Sequence, residues 1–164
     1  MVAWLRDAGF DLRTQKPDGG QFGFSDAHGR LRGHVDGVIV GGPDGFRYPA
    51  LWENKCLGAK SWRELEAKGL AVAKPVYAAQ IALYQAHLQL HEHPALFTAI
   101  NADSMDIYVE LVPFDGALAQ RMTDRAVKVI SATEAGELLP RAFHDPTHFE
   151  CRFCAWQDRC WRTQ

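Results

Sequence analysis

Steps of three and four between apolar positions alternate with steps of two along the chain, and each change of step marks an element. Val2, Leu5 and Ala8 form one stripe that Gly9 ends, so residues 1–9 read as the last turns of a helix. Residues 21–24 and 31–40 read as strands joined by the turn Asp26-Ala-His-Gly29. A second turn, Gly41-Gly-Pro-Asp-Gly45, leads to a third strand over 48–55, which completes a meander.

Ser61, followed three residues later by Glu64, has the form of a capping box and predicts a short helix over 61–68. Pro75 opens a longer helix in which Val76, Ala79, Leu83, Ala86 and Leu90 make the buried stripe. Residues 95–100 and 106–113 read as two more strands, the second alternating Ile107, Val109 and Leu111 with polar neighbours. A last helix covers 115–132, ahead of a cysteine-rich tail. With helices and strands in this order, the fold class is α/β: a mixed central sheet flanked by helices. The expected organisation is a core over residues 1–140 and a tail over 141–164 packed on the same domain.

Composition narrows the function classes. The 164 residues are 47% hydrophobic and 23% charged, within the range of a single globular domain. No apolar run is long enough to span a membrane, and Arg6 and Asp7 interrupt the start where an export signal is continuously apolar. A cytoplasmic protein with no membrane partner is therefore expected. The net charge of −2 excludes a uniformly basic nucleic-acid coat, so a DNA site has to be local. Between residues 54 and 76, five cations (Lys55, Lys60, Arg63, Lys68, Lys74) face two acids (Glu64, Glu66), an excess of +3.

The chemistry begins on the meander. Strand alternation places Arg32, His34 and Asp36 on one face of the 31–40 strand, and Glu53 and Lys55 on one face of the next. Two carboxylates at one point repel unless a cation lies between them, and hard oxygen ligands suit Mg²⁺ or Mn²⁺. A neighbouring lysine can orient a water or stabilise charge on a phosphate, so the trio points to phosphodiester hydrolysis. The competing reading is a solvated salt bridge of little energetic value. Gln80 and Tyr84, four apart on the Pro75 helix, add an amide and a phenol able to contact phosphate or base edges.

Taken in order, Gly33-His-Val-Asp36, Glu53-Asn-Lys55 and Gln80-x-x-x-Tyr84 resemble the motif series of the PD-(D/E)xK nuclease superfamily, with its restriction-endonuclease-like core. The branch most resembled contains RecB-like nuclease domains, lambda-type phage exonucleases and CRISPR-adaptation exonucleases. Lys60-Ser-Trp, Lys68-Gly and Lys74-Pro-x-Tyr77 are similar to phage and prophage members. The likeness covers about residues 1–112. It implies that Asp36, Glu53 and the Asn54 carbonyl ligate the catalytic metal, that Lys55 positions the water, and that Gln80 and Tyr84 brace the site. Lys60, Arg63, Lys74 and Tyr77 are then the candidate DNA contacts. The implied activity is a divalent-metal-dependent deoxyribonuclease, an exonuclease of phage DNA processing or recombination, with DNA and a recombination or CRISPR-like protein as partners. The resemblance also implies a Glu or His ligand on the first helix, where only Asp7 is present, so a truncated chain or a degenerate nucleic-acid-binding module is the alternative. A further alternative is a zinc-stapled scaffold subunit.

In the tail, Cys151-x-x-Cys154-x₅-Cys160 offers three thiolates at spacings one metal accepts, with His148 the nearest fourth ligand and His144 the next. Structural Zn²⁺ held by His148, Cys151, Cys154 and Cys160 is expected, the metal stapling the tail to the domain. The same spacing resembles the iron-sulfur staple of CRISPR-adaptation nucleases. A [4Fe-4S] cluster is therefore the alternative, with Cys56 the remaining thiol.

Overall fold

The structure, a computed structural model, describes residues 1–162. Met1–Ala126 forms one compact unit, and a second begins at Val127. In the first, α1 (Val2–Asp7) leads to β1 (Leu12–Arg13), then to the hairpin of β2 (Gly23–Asp26) and β3 (Leu31–His34). β4 (Gly37–Ile39), β5 (Ala50–Leu57), α2 (Ala59–Ala73), α3 (Pro75–His87), β6 (Ala95–Asn101) and β7 (Ile107–Val112) follow. α4 (Gly116–Ala135) then runs on past the end of the first unit.

The main sheet has five strands in the order β1-β4-β5-β6-β7. All neighbours are antiparallel except β5 and β6, which are parallel because α2 and α3 carry the chain back between them. The expected α/β class, with a mixed sheet flanked by helices, is what forms. β5 and β6 carry near-continuous buried runs, as strands covered on both faces require. Val38, Leu51 and Phe97 face α2 and α3, whose Leu65, Leu70 and Ile81 complete the larger core. Ile39, Trp52 and Leu96 face the other way and bury Leu5 of α1. The two helical layers therefore cover opposite faces of the sheet.

Four expectations need correction. The strand over 31–40 is two strands: β3 pairs with β2 in a separate two-stranded sheet, and β4 pairs with β1 and β5. The chain changes partners at Val35 and Asp36. α2 begins before Ser61, at Ala59, whose N–H donates to Asp103 (3.1 Å), so Ser61 is not a cap. It is also longer than expected and breaks at Gly69 (φ 72°, ψ 171°), a left-handed conformation that glycine adopts without penalty. The Leu70 N–H freed by that break donates to Glu110 (2.9 Å).

On α3 the buried residues are Ala78, Ile81, Ala82, Tyr84 and Gln85, while Val76 is 74% exposed. Nearly every position of this helix is apolar, so two overlapping stripes compete, and packing on the sheet selects the other one. β7 is likewise turned over. Ile107, Val109 and Leu111 are exposed, because Tyr108 packs edge-on against Trp62 and Phe97 and Glu110 turns inward to serve Leu70. Among the described residues no helix is long and apolar enough to cross a membrane.

Candidate active site and cysteine tail

The partner change between β3 and β4 positions the first carboxylate. β4 pairs with β5 through Gly37 and Trp52, and one step further along the same register Asp36 stands opposite Glu53. No ladder bond holds Asp36 there. Instead its Oδ2 accepts from the Asn54 main-chain N–H at 2.8 Å. Asp36 shares with Val38 the face that looks toward α2 and α3, and Leu51, Glu53 and Lys55 occupy that face of β5.

Glu53 is 1% exposed. One of its oxygens, Oε1, is ion-paired with the Lys55 ammonium, and the other, Oε2, has no hydrogen-bond partner. Burial pushes the Glu53 carboxyl above the usual carboxylate range, and the negative charge of Asp36 adds to this, while the hydrogen bond and charge of Lys55 and the main-chain N–H of Asp36 oppose it. A buried carboxylate oxygen without a donor is costly. Oε2, placed beside a second carboxylate, is the kind of atom a divalent cation satisfies, so the residues fit a hard cation held by Asp36, Glu53 and the Asn54 carbonyl.

The opposite face of β5 is closed. Trp52 donates its indole N–H to Thr98 Oγ1 (3.0 Å), and Thr98 donates to the Asn54 side-chain oxygen (2.9 Å). These bonds leave the Asn54 side chain committed away from the site, with its main chain alone available there. Sequence reasoning did not single out Thr98, since nothing local marks a buried threonine on β6 as the link.

Gln80 and Tyr84 are joined directly, the Gln80 amide donating to the Tyr84 hydroxyl at 2.8 Å. Tyr84 is buried by the β2–β3 hairpin. Gly33 lies so close that an added Cβ would be 2.4 Å from the Tyr84 ring. Phe24 meets Tyr84 edge-on and stacks on His87 at 3.9 Å. Gly33 carries a readable signal, a glycine inside a strand where another group approaches closely. The stacked Phe24–His87 pair has no such signal. His34 is exposed on the outward side of β3.

The candidate DNA contacts separate into two kinds. Lys60 and Arg63 are exposed on α2. Lys74 is instead largely covered and bonded to Glu64 (3.2 Å), which also pairs with Lys68; these two hydrogen bonds hold the Glu64 carboxyl below its ordinary range. Tyr77 is half-buried with its ring over the Lys55 ammonium. Asp7 ends α1, on the sheet face opposite Glu53.

In the second unit, α5 (Phe149–Arg152) and α6 (Gln157–Arg162) carry the cysteines. Cys151, Cys154 and Cys160 line one cavity of about 220 Å³ together with Arg141 and Trp161. His148 is not on its wall: the ring stacks on Phe143 (3.8 Å), and Nδ1 accepts from the Glu150 N–H (3.3 Å). All four cysteines are free thiols, Cys56 exposed at the end of β5. Among the described residues, no three His, Cys, Asp or Glu side chains are gathered closely enough to hold an ion by themselves.

No protein-family model matches this chain, and no curated protein matches it. Among solved structures, the one described as "Crystal structure of SSO0001" is similar, with a TM-score of 0.53 and 15% sequence identity. The likeness covers 97% of this chain, which spans 65% of the length of that one. At this identity the similarity is one of fold.

Proposed function

We propose that the chain is a divalent-metal-dependent deoxyribonuclease, an exonuclease acting in phage DNA processing or recombination. The observation that carries this reading is the Glu53 carboxylate, buried with one oxygen on Lys55 and the other without a donor, in register with Asp36. Asp36, Glu53 and the Asn54 carbonyl would hold Mg²⁺ or Mn²⁺. Such an ion supplies Lewis-acid polarisation of the phosphodiester and a water acidified toward neutral pH.

The remaining steps belong to the chain's own groups. Lys55 places a positive charge beside Glu53, where it orients a water and stabilises charge developing on the phosphate. Gln80, through its bond to Tyr84 one turn further along α3, fixes the phenol ring that packs against Gly33 and Phe24 of the β2–β3 hairpin. Lys60 and Arg63 draw in the DNA backbone, whose binding is then salt-dependent. In the tail, a structural metal on Cys151, Cys154 and Cys160 would draw together three thiols that share one cavity wall but are not yet gathered at ligand distance. Zn²⁺ completed by His148 requires that ring to leave Phe143, and a [4Fe-4S] cluster requires a fourth thiolate. A recombination or CRISPR-like protein is the proposed partner besides DNA.

One observation favours a second reading. Asp7, the acid of the first helix, is on the far face of the sheet, which leaves the metal with few protein ligands and suits a module that binds nucleic acid without cutting it. Incubation of end-labelled linear DNA with Mg²⁺ or Mn²⁺ separates the two. Cleavage that disappears in Lys55→Ala and Asp36→Ala supports the enzyme; retention of DNA without cleavage supports the module. Salt-independent absence of binding would sink both. Metal analysis and absorbance near 400 nm of the purified protein decide between zinc and iron-sulfur in the tail.

A further inference from the structure

Tyr77 lies one turn before Gln80 on α3, and its ring faces the site. The Lys55 ammonium is 5.2 Å from the centroid of that ring while it is also ion-paired with Glu53. Lys55 therefore has two partners of different chemistry, a carboxylate and an aromatic face. The Tyr77 hydroxyl makes no hydrogen bond among the described residues, so what the residue offers here is its ring.

The two partners are unequal when a cation arrives. Glu53 has one oxygen on Lys55 and one free, and a divalent ion competes with the ammonium for that carboxylate. A lysine released from its ion-pair partner has four rotatable bonds and ordinarily swings into solvent. For Lys55 the Tyr77 ring offers a second hold, because attraction of an ammonium to a π-face needs no fixed hydrogen-bond geometry and persists as the head group shifts. Tyr77 is itself held: it packs against the main core, and its N–H donates to the Lys74 carbonyl (2.9 Å) in the first turn after Lys74. Proline at the start of α3 sets that turn.

Resting on the metal-dependent reading above, we propose that Tyr77 is a positioning residue, whose ring keeps the Lys55 ammonium in the site when the Glu53 carboxylate is drawn to a cation. The ring, not the hydroxyl, carries the role. This differs from a Tyr77 that contacts DNA directly, for which the phenol oxygen would matter.

The test uses NMR of the full chain, with the Lys55 ε-methylene signal identified by its disappearance in Lys55→Met. In the wild type this signal is expected upfield of the other lysines, shifted by the ring current of Tyr77. In metal-free Glu53→Gln, which removes the carboxylate's charge without changing its shape, the upfield shift is expected to persist, and Mg²⁺ added to the wild type should not abolish it. A Lys55 signal at the ordinary lysine position in Glu53→Gln overturns the proposal and needs no substitution at Tyr77. In cleavage assays, Tyr77→Leu is expected to lower kcat about tenfold with little change in KM, and Tyr77→Phe to recover most of that loss. A loss in Tyr77→Phe equal to that in Tyr77→Leu would assign the role to the hydroxyl and overturn the proposal. Absence of any cleavage by the wild type would remove the nuclease reading, while the Glu53→Gln spectrum still decides whether the ring holds Lys55.

Discussion

The Asp36 carboxylate accepts a hydrogen bond from the main-chain N–H of Asn54, 2.8 Å away, at the point where the chain leaves one sheet and enters another. A loop carboxylate is thereby tied to the central strand beside Glu53. Asp36→Asn can still accept from that N–H, so it should fold with stability close to wild type while losing metal-dependent cleavage. Asp36→Ala leaves the N–H without an acceptor and should cost about 1–3 kcal/mol in urea unfolding. Equal stability of the two variants would contradict this role for the bond.

Gly33→Ala tests how the hairpin seats on α3. The new Cβ would be 2.4 Å from the Tyr84 ring and 2.7 Å from that of Phe24, too close without movement of both. Overpacking of this kind costs about 1–3 kcal/mol. Because Tyr84 must move, the Gln80 bond should break as well, and cleavage should fall by more than the stability change explains.

Thr98→Val keeps the shape of a β6 side chain and deletes its hydroxyl. The Trp52 indole N–H and the Asn54 side-chain oxygen both lose their partner. Two stranded polar groups in the interior should together cost about 2–4 kcal/mol by chemical denaturation. A loss below half a kilocalorie would mean that water replaces the hydroxyl.

Tyr108 should make the protein sensitive to alkali. Burial, reinforced by a hydrogen bond to Glu110 and that group's charge, raises its phenol from 10.0 to about 12. The folded state thus holds the proton more tightly than the unfolded chain. The resulting stability is complete below pH 10 and is lost as pH rises from 10 through 12. Tyr108→Phe should flatten the stability profile over that interval, measured by urea unfolding at successive pH values.

The order of elements was legible because β5 and β6 are short, largely apolar runs set off by turn residues, Pro75 marks the start of α3, and α4 is amphipathic. So was the meeting of Asp36, Glu53 and Lys55, which follows from alternation once β4 and β5 pair. The break at Val35 was not, since β3 and β4 each read as strand and only the aromatic contacts of Phe24 and Tyr84 pull the first away. The buried stripe of α3 was misjudged because an almost wholly apolar helix has no unique inward side. The outward row Ile107, Val109 and Leu111 on β7 defeats pattern reading for the opposite reason: its inward positions include a carboxylate, Glu110, whose partner is the main chain at a distant glycine break. The Glu53 oxygen without a donor has no sequence signature at all.

The β2–β3 hairpin shares no ladder bonds with the main sheet, yet the chain passes from it directly into Asp36. What fastens it is the packing of Phe24 against Tyr84 and His87 of α3; the main-chain bond from Val35 to Phe22 (3.0 Å) only extends the hairpin's own ladder. Few contacts of this kind open at lower cost than a five-stranded sheet. Gentle warming or dilute denaturant should therefore release the hairpin while the circular dichroism still reads native, and any cleavage that depends on Asp36 should be lost before the sheet melts.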